Sequence, residues 1–263
     1  MKKLQEVFDL IDANKKEAEW LHTGIKLLDD FLDGGFLRKE LIVLGGQTGG
    51  GKSYFGSNFL WNIARQGFES AYFSLEISSE MVVSRMVGAL SNIKPVRLLY
   101  ANLLEEEYNR KIEAKAQLKV IEGFTTFYDD VYELVKIKQE IRDKKYEFVV
   151  VDFIQNIIEK TPDEYARLSL VALELQKMAK ECNCCILVLS QVSNKMNREK
   201  RDSTFVEYKG SGSIATVCDI GMFIVRGSEV DANGLYLHVR KNRRGISGQM
   251  IPCTFVEPGG FIK

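Results

Sequence analysis

Residues 41–53 read LIVLGGQTGGGKS, an apolar run that breaks into glycines and closes on a lysine and a serine. From Gly46 to Ser53 the order is a full match to G-x-x-x-x-G-K-[ST]. Such a segment makes physical sense as a buried strand, a tight turn and the start of a helix, in that order. Glycines let the backbone turn sharply and aim several N–H groups at one anion. The first turn of the helix adds a partial positive charge. A lysine at position 52 reaches the β and γ phosphates of a nucleotide, and a hydroxyl at position 53 holds Mg²⁺. Gly46, Gln47, Thr48, Gly49, Gly50, Gly51, Lys52, Ser53 and the adjoining Tyr54 are therefore read as the binding segment for ATP, with Mg²⁺ as cofactor.

The surrounding pattern supports this context. Apolar runs at 41–44, 71–75, 148–151 and 185–189 alternate with stretches of helical periodicity at 53–65, 104–120, 131–141 and 168–178. Runs that are apolar at every position indicate strands buried on both faces, as in a parallel sheet covered by helices. Later runs at 221–225, 235–239 and 250–256, with turns between them, extend that sheet in a partly antiparallel way. Ser78 or Ser79 is placed to cap a helix after the 71–75 strand. The fold class is α/β, with a mostly parallel central sheet, helices on both faces and additional C-terminal strands.

Composition adds limits. At 263 residues, 45% hydrophobic and 27% charged, the chain can bury the core of one large domain. Thirty-six basic residues balance thirty-six acidic ones, so polyanion binding must come from a local cluster. The longest apolar run, Cys184 to Leu189, is far too short to span a bilayer. The N-terminus lacks the pattern of a secretory signal, and the expected compartment is the cytoplasm. Three of five cysteines crowd into 182–185 and read as buried thiols entering a strand. Leu4, Val7, Phe8 and Ile11 stand at helical spacing, so residues 1–20 are read as an amphipathic helix or linker and 21–263 as the domain proper.

Outside the phosphate loop, several residues carry candidate chemistry. Asp152 ends the strand FVVV, where parallel sheets place their ligands; it is either a helix-capping or solvent-facing residue or a carboxylate that holds Mg²⁺ through water. Glu76 follows YFSL; it is either a surface charge or a base that polarises an attacking water. Gln191 ends CILVLS; it is either a turn residue or an uncharged contact to a γ-phosphate. Arg240 to Arg244 carry four basic residues in five; the segment is either a solvated hairpin edge or a set of cations aimed at a neighbouring subunit. Residues 193–213 form a long polar segment with five basic residues, three acidic ones and glycines at its end. It is either an unstructured excursion or a loop that contacts a polyanion.

Seven segments in order, the phosphate loop among them, resemble the RecA-like motor domain of the DnaB-type replicative helicases, from about Leu21 onward. They are Thr23 to Asp29 with the GGFLRKELIVL stretch, the phosphate loop, Tyr72 to Glu76, Asp152 to Gln155, Leu189 to Gln191, and the pair Lys209 to Asp219 and Lys241 to Gly245. The resemblance implies a RecA-like phosphate-loop ATPase that hydrolyses ATP at the interfaces of a hexameric homo-oligomeric ring and moves 5′-to-3′ on single-stranded DNA. It implies Glu76 as the catalytic base, Gln191 as the γ-phosphate sensor, and Lys241 and Arg243 as cations completing a neighbour's site. It makes Lys209, Gly210 and Gly212 the DNA-backbone contacts, and a helicase loader or primase a further partner. Lys209 and Gly210 depart from the family's usual arginine and acidic residue.

Two rivals stand beside this reading. One is a RecA-like recombinase or KaiC-type ATPase, which shares the fold and phosphate loop. The other is a non-motor scaffold that binds ATP to assemble and then recruits a helicase.

Overall fold

A computed structural model describes residues 3–6, 8, 9, 20–192, 212–227, 234–256, 261 and 262. Its centre is an eight-stranded sheet in the order β3-β2-β4-β5-β1-β6-β7-β8. The strands are β1 (Leu41–Gly46), β2 (Ser70–Ser74), β3 (Thr125–Tyr128), β4 (Phe148–Asp152), β5 (Cys185–Gln191), β6 (Ile220–Arg226), β7 (Leu235–Asn242) and β8 (Gln249–Cys253). The first six run parallel, while β7 and β8 add on as antiparallel strands. This is the mostly parallel α/β architecture expected from the alternating runs.

Each central strand is apolar throughout because both of its faces are buried. Ile42, Leu44, Tyr72, Phe148, Val150, Leu187 and Leu189 point into one core. Their neighbours Leu41, Val43, Ala71, Phe73, Val149, Ile186 and Val188 point into the other. Helices α1 (Lys26–Phe31), α2 (Lys52–Ala64) and α3 (Ser79–Ser91) send their apolar side chains to the first core. A satellite cluster joins α3 to α4 (Pro95–Tyr100) and α5 (Glu105–Leu118). The second core lies under α6 (Leu134–Lys144), α7 (Glu164–Glu181) and α8 (Gly212–Val217). Ser78 caps α3, its side chain accepting from the Met81 N–H. Cys184 and Cys185 are buried free thiols at the start of β5.

The order of strands positions the site. The chain leaves β1, passes β5 and β4 to reach β2 and β3, then works back through β4 and β5 to β6 on the far side of β1. The carboxyl ends of β2, β4, β5 and β1 therefore stand in a row at the switch point, the crevice where open parallel sheets bind ligands.

Two expectations change in detail. The 250–256 run is two strands: β8 stops at Cys253, and β9 (Phe255–Val256) pairs with β10 (Phe261–Ile262) in a separate small sheet. The polar 193–213 segment ends in helix α8, which begins at Gly212; residues 193–211 lie outside the described residues. The N-terminal stretch has helical backbone at residues 4–6, 8 and 9.

Candidate active site

Gly51 is the N-cap of α2 at φ 101°, and Gly49 has φ 73°, a backbone region that side-chain-bearing residues rarely enter. Lys52 is buried, and its Nζ donates to the carbonyls of Gly46 and Gln47, each at 3.0 Å. The loop thus wraps its own ammonium. Burial lowers the Lys52 pKa, and the negative charges of Asp152 and then Glu76 oppose that shift.

Asp152 ends β4 fully buried. Burial raises its pKa, against the hydroxyls of Tyr72 and Ser53 and the cations Arg85 and Lys52. Tyr72 on β2 donates to Oδ2 at 2.7 Å. Oδ1 is buried with no hydrogen-bond partner among the described residues. A buried carboxylate oxygen left without a donor costs stability unless a cation or water satisfies it. With the Ser53 hydroxyl beside it, this hard oxygen pair fits Mg²⁺, which favours few protein oxygens together with phosphate.

A cleft of about 280 Å³ opens over the loop, lined by Thr48, Gly49, Gly51, Lys52, Ser53 and Tyr54 together with Glu76, Arg85, Gln191 and Arg226. Four strand ends meet here. Glu76 lies just beyond β2, Asp152 ends β4, Gln191 ends β5, and Gly46 ends β1 directly opposite Gln191 in the ladder. Gln155, from the segment after β4, braces this row: its Nε2 donates to the Ser190 hydroxyl at 3.0 Å, and its Oε1 accepts from the Gln191 N–H at 3.3 Å.

Three residues here escape sequence reading. Arg85 on α3 sets its guanidinium 4.8 Å from the centre of the Tyr54 ring and lines the cleft. Arg226 ends β6 beside Gly51. Phe255 packs edge-on to Tyr54 at 5.1 Å. Of these, only Arg85 had a signal, its place six residues after the Ser79 that opens α3.

Lys241 and Arg243 are elsewhere. In the β6–β7 ladder Asn242 pairs with Ile220, at the amino end of β6, whereas Arg226 at the carboxyl end pairs with Leu235. The Arg243 N–H donates to the Asp219 carbonyl, and the Asp219 N–H to the Leu41 carbonyl, so the hairpin sits level with the start of β1. Gly46 is five residues further along β1, roughly 17 Å at the usual strand rise. The hairpin therefore lies at the amino ends of the parallel strands, opposite the carboxyl ends that carry its own phosphate loop. Of the DNA-contact candidates, Gly212 opens α8, while Lys209 and Gly210 lie outside the described residues.

A family model for the DnaB-like helicase C-terminal domain matches residues 21–257. The chain belongs to this family. As a DnaB-like helicase C-terminal domain it is 28% identical to the replicative DNA helicase DnaC of Bacillus subtilis, an alignment covering 98% of the chain and 60% of that protein. It is 26% identical to the replicative DNA helicase DnaB of Treponema pallidum over 87% of the chain and 53% of that protein. The chain thus spans little more than half the length of these relatives. Among solved structures, an isolated ATPase domain superposes with a TM-score of 0.88 at 18% identity, covering 100% of this chain and 98% of that one. A DnaB-like replicative helicase, solved with its primase interactions, gives 0.85 at 18% identity, covering 100% of this chain and 67% of that one. A KaiC-like protein of Pyrococcus horikoshii gives 0.65 at 17% identity over 94% of this chain and 99% of that one. These three share the RecA-like fold; the family match separates this DnaB-like domain from the KaiC-type alternative. Its Thr23 to Asp29 segment has a structural task, since Asp29 Oδ1 accepts from the N–H and hydroxyl of Thr23 and folds the entry to α1.

Proposed function

We propose that this chain is the ATP-hydrolysing motor of a replicative DNA helicase, working in a hexameric ring that moves 5′-to-3′ on single-stranded DNA and parts the duplex. The observation that carries the reading is one cleft lined by Lys52, Ser53, Glu76 and Gln191, with Asp152 buried beside Lys52 and Ser53 at the adjoining strand end. Lys52 neutralises the β and γ phosphates of ATP. Ser53 and Asp152 would hold Mg²⁺, which would supply positive charge against the phosphates. Glu76 takes a proton from the attacking water as its oxygen bonds to the γ-phosphorus and the bond to the ADP oxygen breaks. Gln191 contacts the γ-phosphate. Lys241 and Arg243, at the other end of the strands from their own loop, serve the neighbouring subunit's ATP. This arrangement makes the oligomer the catalytic unit.

Lys209 and the amides of Gly210 and Gly212 contact successive phosphates of the strand, a readout of backbone and not of sequence. A helicase loader or primase is the further partner, and the cytoplasm the compartment. Among the described residues no helix is long and apolar enough to cross a membrane.

The deciding experiment measures ATP hydrolysis with and without single-stranded DNA, beside the mass of the assembly with ATP. A motor speeds up on single strands and assembles as a ring. A scaffold assembles and does not speed up, and that outcome would overturn the reading.

A further inference from the structure

Lys241 and Arg243 spend donors on their own subunit. Nζ of Lys241 donates to the carbonyls of Ala215 at 2.8 Å and Thr216 at 2.7 Å. Arg243 donates through Nη2 to the Thr216 carbonyl at 3.1 Å and through Nη1 to Asp219 Oδ1 at 2.8 Å. Both acceptor carbonyls belong to the last turn of α8, where carbonyls have no partner within the helix and cations are favoured.

Asp219 ties this junction to the sheet. Its Oδ2 accepts from the N–H of Leu41, the first residue of β1, at 2.9 Å. Gln176 on α7 closes the third side, its Nε2 reaching the Val217 carbonyl at 2.6 Å and Asp219 Oδ1 at 3.4 Å. One buried carboxylate therefore joins the strand that leads into the phosphate loop, the hairpin and the exit of α8. Because that carboxylate is pinned to the sheet, the direction of Arg243 is set by a rigid strand and not by the hairpin's own turn.

We propose that Asp219 is the positioning residue of the hairpin: pinned to β1, it aims Arg243, together with the α8 carbonyls, at the neighbour's ATP site. The proposal rests on the motor reading above, in which Arg243 acts on a neighbour. Asp219 touches neither nucleotide nor strand.

The test uses the full chain assembled with ATP and single-stranded DNA. Asp219→Asn keeps an oxygen for the Leu41 N–H and removes the charge facing Arg243. Misplacing a catalytic group by about 1 Å costs on the order of 10²-fold, so kcat for strand-stimulated hydrolysis should fall roughly 10- to 100-fold. KM for ATP and strand affinity should stay at wild-type values. Mixing with Lys52→Ala chains should restore part of the rate, because those chains bring an intact hairpin to an intact phosphate loop. A defect that spread through Leu41 into the chain's own loop would not be restored. Gln176→Leu should keep the basal rate while weakening strand stimulation. A folded Asp219→Asn with the wild-type stimulated rate, or one whose loss is not complemented, overturns the proposal. Should Asp219→Asn not fold, wild-type stimulation in Gln176→Leu overturns it. If the wild-type chain is not stimulated by single strands, or Arg243→Ala is not complemented by Lys52→Ala, the motor reading itself falls and this proposal with it.

Discussion

The phenol of Tyr72 donates its hydrogen to Oδ2 of Asp152 at 2.7 Å, while Oδ1 of the same carboxylate is buried without a hydrogen-bond partner among the described residues. The two residues sit on adjacent parallel strands, β2 and β4, where Asp152 pairs with Ser74 and Tyr72 with Val150. Burial, and then the Asp152 charge, push the Tyr72 pKa well above its ordinary value, so the phenol remains a donor. One oxygen of Asp152 is thus held by the protein, and in the proposed function the other would face Mg²⁺.

Tyr72→Phe removes that support. Leaving a buried acceptor unsatisfied costs about 1–3 kcal/mol, so the thermal unfolding midpoint should drop. The Mg²⁺ concentration that half-saturates ATP hydrolysis should rise, and Asp152→Asn should abolish turnover. An unchanged magnesium titration in Tyr72→Phe would remove the metal-site assignment.

Glu76→Gln keeps the shape of the side chain and loses its basicity. A positioned general base contributes roughly 10²–10⁴-fold, and turnover should fall by that factor while nucleotide binding, followed by fluorescence titration, survives. Loss of binding and turnover together would point to a metal or folding role instead.

Arg243→Ala should be nearly inactive, since an arginine finger contributes about 10³–10⁵ in rate. Mixed with Lys52→Ala chains it should regain activity, because one class of interface joins an intact loop to an intact hairpin. Failure in a demonstrably mixed oligomer would place Arg243 away from ATP.

Lys209→Ala should weaken strand binding at low salt and flatten its salt dependence. On a single strand the logarithmic slope changes by roughly 0.7 for each phosphate that the protein no longer neutralises. Affinities measured across a salt series would reject the assignment of Lys209 to the strand if the two slopes coincide.

Glu40 links stability to pH. It is buried next to β1, its Oε1 lies 3.0 Å from Nε of Arg244, and its Oε2 accepts from the Leu37 N–H. Burial, stronger than the opposing Arg244 charge, pushes its pKa up to about 7 from 4.5. The folded chain then holds a proton that the unfolded chain releases, so this contribution is complete below about pH 4.5 and is lost as pH rises through about 7. Glu40→Gln should flatten the decline of unfolding midpoint over that window. A decline as steep as the wild type's would assign it to another group.

The sequence by itself determined the phosphate loop, the parallel α/β class and the strand-end positions of Asp152, Glu76 and Gln191. These are local properties: glycines that permit φ 73° and 101°, strands apolar on both faces, and polar residues where those runs stop. Only the tertiary structure decided that β4 and β5 insert between β2 and β1, which sets Glu76 and Gln191 on one cleft with Asp152 buried beside its Lys52 and Ser53. It also decided that Arg85 faces the cleft, and that Lys241 and Arg243 lie at the opposite ends of the strands, on carbonyls of α8. Strand order and the pairing of distant residues such as Asp219 with Leu41 depend on how two cores close over the whole sheet. That is a property of long-range packing, and no window of neighbouring residues contains it.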